Sequence, residues 1–135
     1  MTAGYSGTPL PKKLGFKEGT RARIAGGPPG FRGLLDDLPA GATLDARGAD
    51  PLDLVLLFTR SAGDLREEFP NWMKKLATAG MLWVAWPKKT SGVATDLDEN
   101  RVRDIGLAAG LVDVKVCAID ATWSGLKFVR RVKDR

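Results

Sequence analysis

The sequence predicts an α/β fold, a three-layer sandwich built on a mostly parallel sheet of five to six strands that ends in a C-terminal antiparallel hairpin. Three observations predict it. Residues 81–86 are an unbroken apolar run of strand length and residues 52–58 a run interrupted only by Asp53, as expected of strands covered on both faces. Segments with apolar residues at helical spacing alternate with these runs, which is the pattern of βα units on a parallel sheet. Two further strand-like runs near the end are separated only by a short turn-rich segment.

The elements follow in order. Residues 1–19 are rich in Gly, Ser, Thr and Pro and read as an N-terminal arm with about one helical turn at Pro11-Lys12-Lys13-Leu14, while residues 20–135 read as a single domain. Residues 21–25 form a short strand running into Gly26-Gly27-Pro28-Pro29-Gly30, and Phe31, Leu34, Leu35 and Leu38 then recur at helical spacing. Residues 42–45 suggest a very short second strand, and residues 52–58 a buried one. Between Ser61 and Ala79, the residues Leu65, Phe69, Trp72, Met73, Leu76 and Ala77 share one helical face. Pro70 is expected to kink or restart that helix and Gly80 to end it. Residues 81–86 form the next strand, stopped by Pro87. Thr95 and Asp98 suggest a capping box for a helix whose inner face carries Val102, Ile105 and Ala109 before Gly110. Residues 114–119 and 126–132 are the last strands, joined through residues 120–125.

Composition narrows the chemistry. The chain has 135 residues, no histidine and a single cysteine, Cys117. Without imidazole there is no Ser-His-Asp or Cys-His nucleophile pair and no His-based metal site, and a lone cysteine excludes zinc ribbons, iron–sulfur clusters and an internal disulfide. The formal charge of +5 is distributed in alternating blocks, net +4 over residues 1–25, −4 over 26–70, +4 over 71–95, −3 over 96–113 and +4 over 114–135. No secretory leader and no run of about 18 apolar residues is evident, so a cytoplasmic location without membrane contact is expected.

The second half of the chain resembles the C-terminal half of class I S-adenosylmethionine-dependent methyltransferases, and hence a Rossmann-like fold. The resemblance rests on a strand opened by an acid, Asp53-Leu54-Val55-Leu56, then a helix, then a strand after a small-residue turn, Ala79-Gly80-Met81-Leu82-Trp83-Val84, then a helix and a hairpin. It covers about the last two thirds of the chain and implies S-adenosylmethionine as a cofactor. The whole chain also resembles a family of small bacterial proteins designated as a domain of unknown function, through Gly4-Tyr5-Ser6-Gly7-Thr8-Pro9-Leu10, Trp86-Pro87-Lys88-Lys89-Thr90-Ser91-Gly92 and Lys115-Val116-Cys117-Ala118-Ile119-Asp120. Two features depart from the methyltransferase pattern. Pro28 and Pro29 stand where a glycine-rich cofactor loop offers backbone N–H donors. Only residues 46–51 separate Asp45 from Leu52, whereas a parallel crossover needs about a dozen residues or more, so at least one βα unit is expected to be missing.

Four places carry candidate chemistry. Gly26, Gly27 and Gly30 form a turn followed 19 residues after Gly26 by Asp45, close to the spacing of an acid that meets a ribose hydroxyl; the plainer alternative is a tight turn with Asp45 solvated. Lys88, Lys89 and Ser91 follow a buried strand and would face the crevice beyond the strand ends, suited to phosphate or carboxylate, or else form an exposed basic turn. Trp123 at a loop tip stacks on a base, seats in a partner or folds back over the sheet edge. Asp120 lies at a strand end on the same side, and Asp53 at a strand start. Cys117 reads as a small buried residue, because no imidazole is present to act as its base, and the basic run 130–135 is either solvated or touches phosphates.

These features point to a non-catalytic binding module that holds a small anionic or nucleotide-like ligand, or a protein partner, near Gly26, Lys88, Lys89 and Asp120. A minimal S-adenosylmethionine-dependent methyltransferase is the enzymatic rival, since positioning a methyl donor needs no histidine. Nucleic-acid binding through the basic strands and tail is the third reading.

Overall fold

The computed structural model describes residues 8–135; residues 4–7 of the N-terminal motif, with the rest of the first seven residues of the arm, lie outside the described residues. Five strands, β1 (Ala22–Ala25), β2 (Leu52–Phe58), β3 (Leu76–Pro87), β4 (Leu111–Ala118) and β5 (Trp123–Arg130), form one sheet in the order β1-β2-β3-β5-β4. Strands β1, β2 and β3 are parallel, and β5 runs antiparallel to both of its neighbours. Therefore β4 points the same way as the first three, and the sheet is mostly parallel with a C-terminal hairpin, as the sequence predicts.

Both faces of the sheet are covered. Side chains of β2, β3 and β5 alternate between two cores, which is why the central strands read as continuous apolar runs. On one face Val55, Leu57, Leu82, Val84, Leu126 and Phe128 meet helices α2 (Ala62–Lys74) and α3 (Glu99–Ala109) through Leu65, Phe69, Val102 and Ile105. On the other, Leu54, Leu56, Trp83 and Ala85 meet Leu14 and Phe16, at and beyond the end of α1 (Leu10–Leu14), and Phe31 and Leu35. Each such Leu or Phe, fully buried, contributes about 1.5–3 kcal/mol. The arm beyond Leu10 is thus part of a core: Leu14 is completely buried, and the buried indole N–H of Trp83 donates to its carbonyl at 2.8 Å.

Several local expectations are corrected. The segment after Gly30 forms only a short 3-10 turn, Phe31–Leu35, with Leu34 exposed, because Asp36 returns to extended backbone. Residues 42–45 form no strand; Thr43 and Asp45 make single bridges to Arg21 and Arg23, which cover the outer edge of β1. The chain therefore crosses from β1 directly to β2, with no intervening strand. Helix α2 runs through Pro70 unbroken and ends at Lys74 rather than near Ala79. Residue Arg66, whose carbonyl loses the Pro70 N–H, lies on the exposed side of the helix.

Residues 76–80 belong to β3, which pairs Leu76 with Leu52 before an irregularity brings Met81 to Leu54. Gly80 lies in that irregularity and does not end a helix; a Cβ there would approach the Leu52 carbonyl oxygen to 2.8 Å. The cap of α3 is Asp98, whose carboxylate accepts from the Arg101 N–H at 2.8 Å. Thr95 instead donates to the Arg60 carbonyl at 2.6 Å and pins the loop after β3 to the loop after β2. Trp123 opens β5 rather than capping a loop, because Asp120 turns the chain within two residues: its carboxylate accepts from the N–H groups of Thr122 and Trp123, both at 2.8 Å.

Candidate functional site

Beyond the carboxyl ends of β1 and β2 lies a crevice of about 520 Å³ lined by Gly26, Phe58, Thr59, Arg60, Ser61, Asp64, Glu68, Ala94 and Trp123. This is where an open α/β sheet places a ligand. Each wall has a local cause. Gly26 has φ +71°, and a Cβ there would stand 2.8 Å from the Phe58 carbonyl oxygen, so only glycine lets β1 leave the sheet this close to β2. Thr59, which is buried, accepts from the Ser61 N–H at 3.4 Å and donates to the Ser61 carbonyl at 3.3 Å, folding the turn into α2. Ser61 caps that helix by accepting from the Asp64 N–H at 3.2 Å.

The N-terminus of α2 already has an anion of its own, since the Ala62 N–H donates to the Asp96 carboxylate at 2.8 Å. The helix end is therefore not open to a phosphate, and the crevice mouth mixes the exposed carboxylates Asp64 and Glu68 with the exposed guanidinium Arg60. The aromatic wall is ordered: the Phe58 ring meets Phe31 edge to face at 4.8 Å and Trp123 at 4.9 Å. Trp123 thus folds onto the sheet end while its half-buried ring still lines the crevice.

The residues singled out by sequence divide between this crevice and its surroundings. Gly26 and Trp123 line it. Gly27 and Gly30 line a separate hollow of about 230 Å³ with Pro28, Pro29, Phe31 and Arg32. Asp45 is bound by Arg32 through both carboxylate oxygens, at 2.6 Å and 3.0 Å. Lys88 donates to the Asp120 carbonyl at 2.8 Å, and Ser91 donates to the Lys88 carbonyl at 2.6 Å, so the loop from β3 to α3 is braced internally and against the β4–β5 turn. Lys89 is exposed beside them. Asp53 accepts from the Arg21 N–H at 2.9 Å and ties β1 to β2. Cys117 is half-buried on β4; burial pushes its thiol up from the usual range, against the opposing effect of Lys13 and Lys115. Thr59, Arg60, Ser61, Asp64 and Glu68 escaped the sequence reading, although they follow the apolar run ending at Phe58 and Ser61-Ala62-Gly63-Asp64 is itself a capping signal.

The fold and the position of the crevice define a Rossmann-like domain of the methyltransferase type. Solved structures agree. The chain is similar to a SAM-dependent methyltransferase from Aquifex aeolicus (13% identity, TM-score 0.56, 87% of this chain and 85% of that one). It is similar to the magnesium protoporphyrin IX methyltransferase of Synechocystis PCC 6803 with bound SAH (10% identity, TM-score 0.57, 90% and 78%). It also matches LepI in complex with SAM (13% identity, TM-score 0.54, 92% of this chain), of which it spans 47% of the length. At these identities the likeness is one of fold. No curated protein matches the sequence. By a family model matching residues 30–132, the chain belongs to the family described as "Protein of unknown function (DUF3052)".

S-adenosylmethionine does not fit the glycine turn in the way the methyltransferase resemblance implies. The hollow there is below the roughly 300 Å³ at which ligand pockets begin. Pro28 and Pro29 offer no N–H, Phe31 is buried against Phe58, and the acid expected to meet the ribose is held by Arg32.

Proposed function

We propose that the chain is a non-catalytic binding module whose crevice beyond β1 and β2 takes the nucleoside-like part of a small ligand. The observation that carries this reading is the composition of that crevice, about 520 Å³ with an aromatic ring, two carboxylates and a guanidinium at its mouth. A base stacks on Trp123, and such stacking is worth about 1–3 kcal/mol. Asp64 and Glu68 accept hydrogen bonds from sugar hydroxyls, and Arg60 meets one anionic substituent. A triphosphate is disfavoured, because two carboxylates share the mouth and Asp96 occupies the α2 N-terminus.

The non-catalytic part of the reading draws on the chain's own chemistry. No imidazole is present in the sequence, and burial pushes the single thiol, on β4, up from its usual range, away from a reactive thiolate. The test is a thermal-shift screen of the full chain against adenosine, nucleoside monophosphates and S-adenosylmethionine, followed by a labelled methyl-transfer assay with any binder. Stabilisation by a nucleoside without methyl transfer supports the module. Methyl transfer from S-adenosylmethionine would replace it with the enzymatic reading, and stabilisation by none of the compounds would contradict the ligand class.

A further inference from the structure

At the opposite end of β2 from the crevice lies a further hollow, of about 270 Å³, whose lining includes Arg23, Gly48, Ala49, Asp50, Lys74 and Lys75. Leu52 lines this hollow and Phe58 the crevice, so at about 3.3 Å per residue the two sites stand roughly 20 Å apart along the strand. The cations come from separate places in the chain: Arg23 from β1, Lys74 from the last turn of α2 and Lys75 from the residue after it. Trp72, packed against the core, holds two of them, with its ring centroid 5.3 Å from the Arg23 guanidinium carbon and 4.9 Å from the Lys75 ammonium. The Lys75 carbonyl accepts from the Leu52 N–H at 2.8 Å, which ties that residue to the start of β2, and Arg23 donates to the Ala46 carbonyl at 3.4 Å.

Among the described residues, the ion pairs are those of Arg32 and Arg103, so Arg23, Lys74 and Lys75 have no carboxylate partner although Asp50 lines the same hollow. The loop before β2 adds donors. Among the described residues, the N–H groups of Gly48, Ala49 and Asp50 reach no acceptor of the protein, and Gly48 turns with φ +93°. Successive free N–H groups in a turn are an anion-binding arrangement. Three positive charges against one negative leave the lining at net +2, which complements a phosphomonoester of about −1.5 to −2 at neutral pH. A guanidinium grips two oxygens of such a group and the ammonium groups add point charges. The volume admits a small group and not a whole nucleotide. We propose that this hollow binds the phosphate dianion of a small phosphomonoester, through Arg23, Lys74, Lys75 and the free N–H groups of residues 48–50.

The experiment is isothermal titration of the full chain with glycerol 3-phosphate, and with dimethyl phosphate, a monoanionic diester, at the same ionic strength. The expected result is binding of the monoester, with the diester at least about tenfold weaker, because it lacks the second charge. Lys74→Gln/Lys75→Gln, at the exposed end of α2, weakens the monoester by about tenfold or more, the equivalent of one charge-assisted hydrogen bond. Asp50→Asn tightens it, a gain that damage to the fold would not produce. Lys133→Gln/Arg135→Gln at the exposed C-terminus and Trp123→Ala in the crevice bind it as the native chain does. No binding of the monoester, equal binding of the diester, an affinity unmoved by the lysine variant or not raised by Asp50→Asn, or loss of binding in Trp123→Ala would overturn the proposal.

Discussion

Arg32 holds both carboxylate oxygens of Asp45, at 2.6 Å and 3.0 Å, on the solvent side of the β1 edge. The short 3-10 turn brings them together: a full helix after Gly30 would carry the chain away from the sheet, whereas Phe31–Leu35 turns back so that residues 43 and 45 can bridge to β1. With 51% and 60% of the two side chains exposed, the pair is a surface clasp. Asp45→Ala is therefore expected to change unfolding stability in urea by no more than about 1 kcal/mol. A loss several times larger would show that the clasp holds the crossover in place.

Leu14 anchors the N-terminal segment under the sheet, fully buried and with its carbonyl bonded to Trp83 across 69 residues of sequence. Leu14→Ala is expected to cost about 2–5 kcal/mol, as for other buried leucines. A cost within about 0.5 kcal/mol, the range of ordinary surface substitutions, would contradict the placement of this segment in the core.

Gly106 sits in the middle of α3, where alanine would ordinarily favour the helix by roughly 1 kcal/mol. Here a Cβ would come within 2.1 Å of the Phe128 ring, which itself packs edge to face on Phe69 at 5.2 Å. Gly106→Ala is expected to destabilise by about 1–3 kcal/mol, the usual cost of overpacking, in equilibrium unfolding. A gain in stability would mean that Phe128 has room to move.

Lys127 gives a prediction for pH. Burial and two neighbouring lysines lower its affinity for a proton in the folded chain below the ordinary value of 10.5, so the unfolded state binds that proton more tightly. The penalty is fully present below the folded value and is relieved as pH rises toward 10.5. Lys127→Gln should therefore raise the melting temperature near neutral pH, by an amount that shrinks in alkaline buffer. An equal gain at all pH values would assign the effect to packing rather than to charge.

The sheet was legible because buried runs such as residues 52–58 report burial on both faces without reference to partners. The hairpin was legible because the last two strand-like runs are too close in sequence for a crossover. The boundaries that failed all depend on contacts distant in sequence. Helix α2 stops at Lys74 because Leu76 pairs with Leu52, and residues 42–45 form only bridges because Arg32 draws Asp45 aside. The candidate site was half legible. Gly26, read from its glycine turn, and Trp123, read as a loop-tip aromatic, line the crevice, whereas the rule that ligands sit beyond strand ends pointed to Lys88, Lys89 and Ser91, which do not; the carboxylates of α2 and the turn at Thr59 come into view only when β2 is placed beside β1.

The claim that the crevice, and not the glycine turn, binds the ligand is tested most directly by isothermal titration of adenosine into the native chain, Trp123→Ala and Asp45→Ala. Loss of one stacked base should weaken binding by about fivefold to 150-fold in Trp123→Ala, the equivalent of about 1–3 kcal/mol, while Asp45→Ala binds as the native chain does. Binding that survives Trp123→Ala and is lost in Asp45→Ala would place the ligand at the glycine turn and contradict the account.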